Sequence, residues 1–377
     1  MNPNIITRIA GNVAAFIPYP YKGGLQEYAI ELSRRLGLPL IAVASSNRFI
    51  QTEIEDLFRT FNNLHVLYTD VEIFRNPILI NLNGYKELKK VLKEFDVIHF
   101  HGPFPITGDF VLKGLIYVFT YHFDIELTSP LANTIARLYE GLMLRRTLQD
   151  AKVITVTSNF FIEESRLLRD FRRKIKILPL GINARDLTPT YQYLDKVTFI
   201  GRIIPEKGVH VLLNAFKKLA AELMDLELYI IGRPVDINYY NYLKTLAKSN
   251  RIEKKVHFTG YLKRDEMLRL LASSSALVLP SLTRLDSFGI VVLEASALAV
   301  PVVVSNVIPG AKEFIEKARN GFLVRPNNVD DLVMSIKAVL QNPKEFGERG
   351  RHYAVTHHDW SVIIHQICNI FSELVIK

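Results

Sequence analysis

The chain holds one cysteine, Cys368, in 377 residues. That excludes an internal disulfide and any metal site built from several thiolates. It lacks a charge-free apolar run of about 18 residues, the length that spans a bilayer. The nearest approach, 289–304, is interrupted by Glu294. No basic segment with a short apolar core and a small-residue cleavage site opens the chain, so a cytoplasmic protein is expected. Short-period repeats and low-complexity tracts are missing. So are G-x-x-x-x-G-K-[ST] and G-x-G-x-x-G, which excludes a P-loop and the common dinucleotide fingerprint. No D-x-D pair occurs through which a divalent ion could bridge phosphates.

What is present suits a globular protein with sizeable cores. A length of 377 residues exceeds one ordinary core and fits two domains, and 49% apolar residues can fill them. The net charge of +9 is spread over both halves, whereas nucleic-acid binders more often cluster theirs. No nucleic-acid partner is expected. One local cluster stands out: Arg166, Arg169, Arg172, Arg173, Lys174 and Lys176. It is either a solvated helix end or a contact for an anionic membrane surface or acidic acceptor.

Apolar runs alternate with amphipathic stretches throughout, which predicts an α/β fold. A strand at 13–17 leads to Gly23-Gly24 and a helix at 25–36. Without Cβ atoms, that glycine pair permits a tight turn or close approach of a ligand. Further strands are expected at 40–44, 96–102 and 116–120. His99 and His101 alternate on one of these and so share a face. His122 follows the carboxyl end of another, where sites of open sheets form. A long helix at 131–148, strands at 153–157 and 175–178, and a polar linker at 184–195 follow. The second half opens with a strand at 197–200 and Gly201-Arg202-Ile203-Ile204-Pro205-Glu206-Lys207-Gly208, ahead of a helix at 209–221. Glycine-bounded cations before a helix N-terminus form a plausible anion cradle. Strands at 227–231 and 256–258 run into Gly232-Arg233-Pro234 and Gly260-Tyr261.

Residues 276–304 organise the rest. A buried strand ends at Pro280-Ser281, a polar loop reaches Ser287-Phe288-Gly289-Ile290, and a helix carrying Glu294 precedes a strand at 300–304. Backbone amides at that helix start attract anions. Asp286 and Glu294 lie eight positions apart around them and can accept hydrogen bonds from sugar hydroxyls.

This stretch resembles the signature of family 4 retaining glycosyltransferases, in which two Glu separated by seven residues bracket an F-G pair. Asp286 stands at the first Glu and Glu294 at the second. Phe288-Gly289, Glu294-Ala295 and Pro301-Val302 match at the family's offsets. Asp286 is shorter than Glu, and Ala299 stands where the family usually carries Gly. Arg202 and Lys207 match the family's G-R-x4–5-K-G motif, and residues 179–183 resemble its P-x-G-[VI]-[DN].

The resemblance implies a GT-B arrangement, two Rossmann-like domains facing across a cleft. Residues 1–188 would form an acceptor-side domain and 189–358 a nucleotide-sugar domain. Residues 359–377 would be a helix packing back on the first. It implies catalytic roles for His122, Arg202, Lys207 and Asp286. Donor binding would fall to Gly23, Gly24, Gly201, Ser287, Phe288, Gly289, Ile290 and Glu294. The expected activity is retaining transfer of a hexose from a UDP-, GDP- or ADP-sugar to a glycan, lipid-linked or small-molecule acceptor, without metal or cofactor. Peripheral contact with the inner membrane face through 166–176 is a further expectation. A sugar phosphorylase of the same fold, or a non-catalytic nucleotide-sugar-binding subunit, is the alternative.

Overall fold

A computed structural model describes the chain apart from residues 1–8, 10, 20–23, 47, 59–60, 62, 74–75, 78, 80–81, 126–129, 284–288 and 376–377. It divides into two compact units, Met1–Pro179 with Ile363–Lys377, and Leu180–Val362.

In the first unit, strands β1 (Val13–Tyr19), β2 (Leu40–Ser45), β3 (Leu64–Thr69), β4 (Val97–Gly102), β5 (Tyr117–Tyr121), β6 (Val153–Val156) and β7 (Ile175–Ile177) form one parallel sheet. Their order is β3-β2-β1-β4-β5-β6-β7. Strand β1 is buried along its whole length. Ala14 and Phe16 join one core cluster, while Ala15, Ile17 and Tyr19 join the other. Alternation thus feeds two faces, as a parallel sheet covered on both sides requires. The helix expected at 131–148 is present as an unbroken helical run, Pro130–Tyr139 continuing through a π-helical turn Glu140–Leu144 into Arg145–Asp150. Periodicity alone does not reveal the wider turn.

The second unit repeats the plan with β8 (Leu194–Ile200), β9 (Glu227–Ile231), β10 (Val256–Gly260), β11 (Ser274–Leu279), β12 (Val302–Ser305) and β13 (Gly321–Val324). Their parallel order is β10-β9-β8-β11-β12-β13. Counted from β8, this is the 3-2-1-4-5-6 order of doubly wound nucleotide-binding sheets. The strand order reverses between β8 and β11, which pair directly. That point is the crevice where such sheets bind ligands. The last helix, Trp360–Val375, begins in the second unit, where Trp360 lies against Gly181. Its later residues belong to the first, with Phe371 5.2 Å from the His99 ring and Glu373 2.6 Å from Lys176. Among the described residues no helix is long and apolar enough to cross a membrane.

Candidate functional site

The loops after β8, β9, β10 and β11 meet at the carboxyl end of the second sheet. Backbone bonds knit them together: Ile203 N to Arg233 O at 3.0 Å, Gly232 N to Gly260 O at 2.9 Å, and Leu282 N to Glu206 O at 2.8 Å. After β8, Gly201 leads to exposed Arg202, and a single turn Pro205–Lys207 brings Lys207 into a buried position. Gly208 ends that turn at φ 67°, and a Cβ there would lie 2.1 Å from the Pro280 carbonyl oxygen. Only glycine lets the cationic loop approach the end of β11 so closely. The two stretches that the sequence singled out in this half are therefore neighbours at the switch point.

Past the β11 loop, Gly289 (φ 77°) starts the helix Ile290–Ala297. As the N-cap it supplies no side-chain acceptor, so the first-turn amides keep their capacity for an anion. Glu294, one turn on, is buried, and Arg264 holds its Oε1 at 2.6 Å. Nothing in the spacing of the sequence pointed to Arg264, which comes from the helix Arg264–Ala272 after β10. Nearby, the Arg233 guanidinium sits 5.8 Å over the ring of exposed Tyr261. Gly23, Asp286, Ser287 and Phe288 lie outside the described residues.

The departure at Ala299 has a structural account. The helix Ile290–Ala297 closes with Ala299 N donating to Ser296 O (2.9 Å) and Val300 N to Ala295 O (2.8 Å). This is a Schellman motif, with Ala299 at the left-handed position, φ 59°. Alanine keeps the backbone path that glycine would adopt more easily.

In the first unit, Gly24 opens the helix Gly24–Leu36, and Gln26 Nε2 ties it to Pro18 O at the end of β1 (3.0 Å). His122 follows β5, its backbone N–H bonded to Gly102 O at 2.9 Å. Parallel register then sets His122 beside His101, with Nε2 3.1 Å from His101 Nδ1 and the rings stacked at 5.3 Å. Tyr28 meets both rings edge-on. His99 lies 4.1 Å from His101, ring to ring, and its Nε2 is 2.7 Å from Thr120 Oγ1. Burial drives the His99 and His122 pKa values down to about 3, and that of His101 well below the usual value. All three imidazoles are neutral at physiological pH. His99 and His101 are thus mainly buried sheet residues held by polar neighbours. Among the described residues, no group of three or more His, Cys, Asp or Glu gathers as a metal would need.

Arg202, Lys207 and Glu294 thus stand at one sheet end, together with Gly201, Gly289 and Ile290. His122 and Gly24 stand at the strand ends of the other unit. Arginine and lysine beside free helix-start amides suit a diphosphate, and a buried carboxylate suits hydroxyl groups.

Two α/β units, one carrying cationic loops at its sheet's switch point, match the architecture of nucleotide-binding sugar-transfer enzymes. Residues 189–354 match the profile of the glycosyl transferases group 1, and residues 22–186 match that of Glycosyltransferase Family 4. The chain belongs to this glycosyltransferase family and has its GT-B fold. D-rhamnosyltransferase WbpZ of Pseudomonas aeruginosa is 27% identical over 72% of this chain and 71% of its own. O-antigen chain mannosyltransferase C of Escherichia coli is 25% identical over 87% and 88%. Among solved structures, a glycosyltransferase of Rickettsia africae aligns over 97% of this chain and 98% of its own, with TM-score 0.75 and 20% identity. Anabaena Alr3699/HepE in complex with UDP and glucose aligns over 96% and 99%, with TM-score 0.73 and 17% identity.

Proposed function

We propose that this glycosyltransferase moves a hexose from a nucleoside-diphosphate sugar to a glycan or lipid-linked acceptor. Anomeric configuration is retained, and neither metal nor cofactor is needed. The observation that carries the reading is the pairing of loops at the β8/β11 switch point: Arg202 and Lys207 on one, Gly289, Ile290 and Glu294 on the other. Departure of the diphosphate takes the bonding electron pair onto its leaving oxygen, which becomes negative while the anomeric carbon turns cationic. Preorganised positive groups aimed at that charge are usually the largest catalytic contribution. Arg202, Lys207 and the amides of 287–290 take this role. Glu294, oriented by Arg264, accepts bonds from the ribose hydroxyls, while Asp286 and His122 position the donor sugar. Gly23, Gly24 and Gly201 leave room for the backbone to approach the donor.

Retention without a carboxylate nucleophile follows from attack on the face that the diphosphate leaves, its departing oxygen taking the acceptor's proton. The lack of a D-x-D pair supports turnover without a divalent ion. A lipid-linked acceptor would put the enzyme at the inner face of a membrane, with segment 166–176 toward the headgroups. The names of the relatives support a glycan acceptor, and the UDP complex of a similarly folded protein supports a nucleotide donor.

The test is a thermal-shift screen of UDP-, GDP- and ADP-sugars, then turnover of the best binder in excess chelator. Turnover should persist with chelator, and Arg202→Ala and Lys207→Ala should each lower kcat by about 10²–10³. A glycosyl adduct trapped on Asp286 or Glu294 would overturn the mechanism. Full activity in both variants would overturn the site.

A further inference from the structure

The helical run from Pro130 to Asp150 in the first unit carries two apolar faces instead of one. Ala136, Tyr139, Leu144 and Leu148 are buried in the core. Leu131, Ile135, Leu138 and Leu142 are 73%, 51%, 60% and 73% exposed. Their spacings of four, three and four residues place them on one stripe, opposite the buried face. The solvent side of a surface helix is ordinarily polar, and a contiguous exposed apolar patch marks an interaction site.

Charge identifies the partner. The stripe ends at Arg145 and Arg146, and the basic segment packs against that end. Arg145 is 2.7 Å from Asp170 and 6.0 Å from the Phe171 ring centre, while Lys174 donates to the carbonyls of Gln149 and Ala151. Arg166 reaches buried Glu140 of the same helical run at 3.1 Å. Part of the cluster seen in the sequence is thereby neutralised, Arg166 by Glu140 and Arg172 by Glu163. Among the described residues, Arg146, Lys152 and Arg173 have no carboxylate within ion-pair distance. An apolar row bordered by uncompensated cations matches an anionic bilayer surface, which offers acyl chains beneath acidic headgroups.

We propose that this face docks on an anionic lipid surface. The four aliphatic side chains enter the headgroup–acyl boundary, and Arg146, Lys152 and Arg173 meet the headgroups. The inference rests on the transferase reading only for what the docking serves. Pairing with a second copy suits the spacing but not the charge. Parallel helices would bring the cationic ends together, and antiparallel ones would set each near the other's Arg137. The one exposed acid between 131 and 150, Asp150, lies at the cationic end.

The experiment is flotation of the full chain with vesicles of phosphatidylcholine alone or mixed with phosphatidylglycerol. Binding is expected only to the mixed vesicles. Leu138→Ser with Leu142→Ser should cut partitioning about tenfold or more, with unchanged melting. Arg146→Gln and Arg173→Gln should each weaken it about fivefold. Equal flotation with both vesicle types, indifference to the leucine changes, or a dimer in light scattering that those changes split would each overturn the proposal. Turnover of a water-soluble donor separates the two ideas. If the unaltered chain turns over donor but floats with neither vesicle type, docking alone is sunk, whereas flotation without turnover sinks the transferase reading alone.

Discussion

At residue 299, a left-handed backbone carries a side chain. Such a conformation costs an L-residue about 1–2 kcal/mol relative to its ordinary wells, and glycine far less. Ala299 nonetheless completes both bonds of its Schellman cap, and its carbonyl accepts from Tyr193 Oη at 3.0 Å. Ala299→Gly should therefore stabilise the protein by about 0.5–1 kcal/mol, raising the melting temperature by a few degrees without changing turnover. A loss of stability in calorimetry would show that the methyl group packs favourably enough to outweigh the strain. The same residue weakens one argument for a non-catalytic binding subunit, since the backbone beneath Glu294 keeps its path. Glu294 itself is more constrained than its spacing suggested, because its carboxylate is already engaged by Arg264.

Among elements, the loop after β8 is placed by what it touches, not by its own bonds. Gly208 abuts the Pro280 carbonyl, so any Cβ must push the β8 and β11 loops apart. Gly208→Ala is expected to lower stability by more than about 2 kcal/mol and to weaken nucleotide affinity at least tenfold. Gly114 provides the control, with φ 81° and nothing within 4 Å of an added Cβ. Gly114→Ala should bring only the local backbone strain, about 1–2 kcal/mol, with nucleotide affinity intact. Urea unfolding and nucleotide titration of both variants check this. Equal effects would mean that the loop contact does not shape the site.

For the molecule as a whole, buried neutral histidines set the response to acid. His99 and His122 in the first unit have pKa values near 3, and His358 in the second is lowered to about 4, in each case mainly by burial. Once unfolded, each titrates near 6.5, so over the interval between the two values the unfolded chain binds more protons. The stability from each is complete above about pH 6.5 and is lost as pH falls toward the folded value. The slope is about 1.4 kcal/mol per pH unit for each imidazole. Urea midpoints should hold above about pH 6.5 and fall steadily from there to pH 5, and His122→Gln should reduce that slope by one histidine's share. A flat profile over this interval would contradict neutral burial.

Much of the fold was legible before any coordinates. Apolar runs closed by glycine or proline became strands, and cationic or glycine-rich stretches fell at their carboxyl ends, because burial periodicity and turn chemistry are local properties. The sequence by itself thus determined the α/β alternation, the placing of Arg202, Lys207 and His122 just after strands, and that of Glu294 on the helix that follows the next loop. Only the tertiary structure decided which of these ends adjoin. Strand order puts β8 beside β11, parallel register stacks His101 on His122, and a helix remote in sequence brings Arg264 to Glu294. It also decided which cations of 166–176 are already paired, and that Leu131, Ile135, Leu138 and Leu142 face outward. A helical repeat gives the same signal for an apolar stripe whether the core or the solvent lies against it, and only packing distinguishes the two.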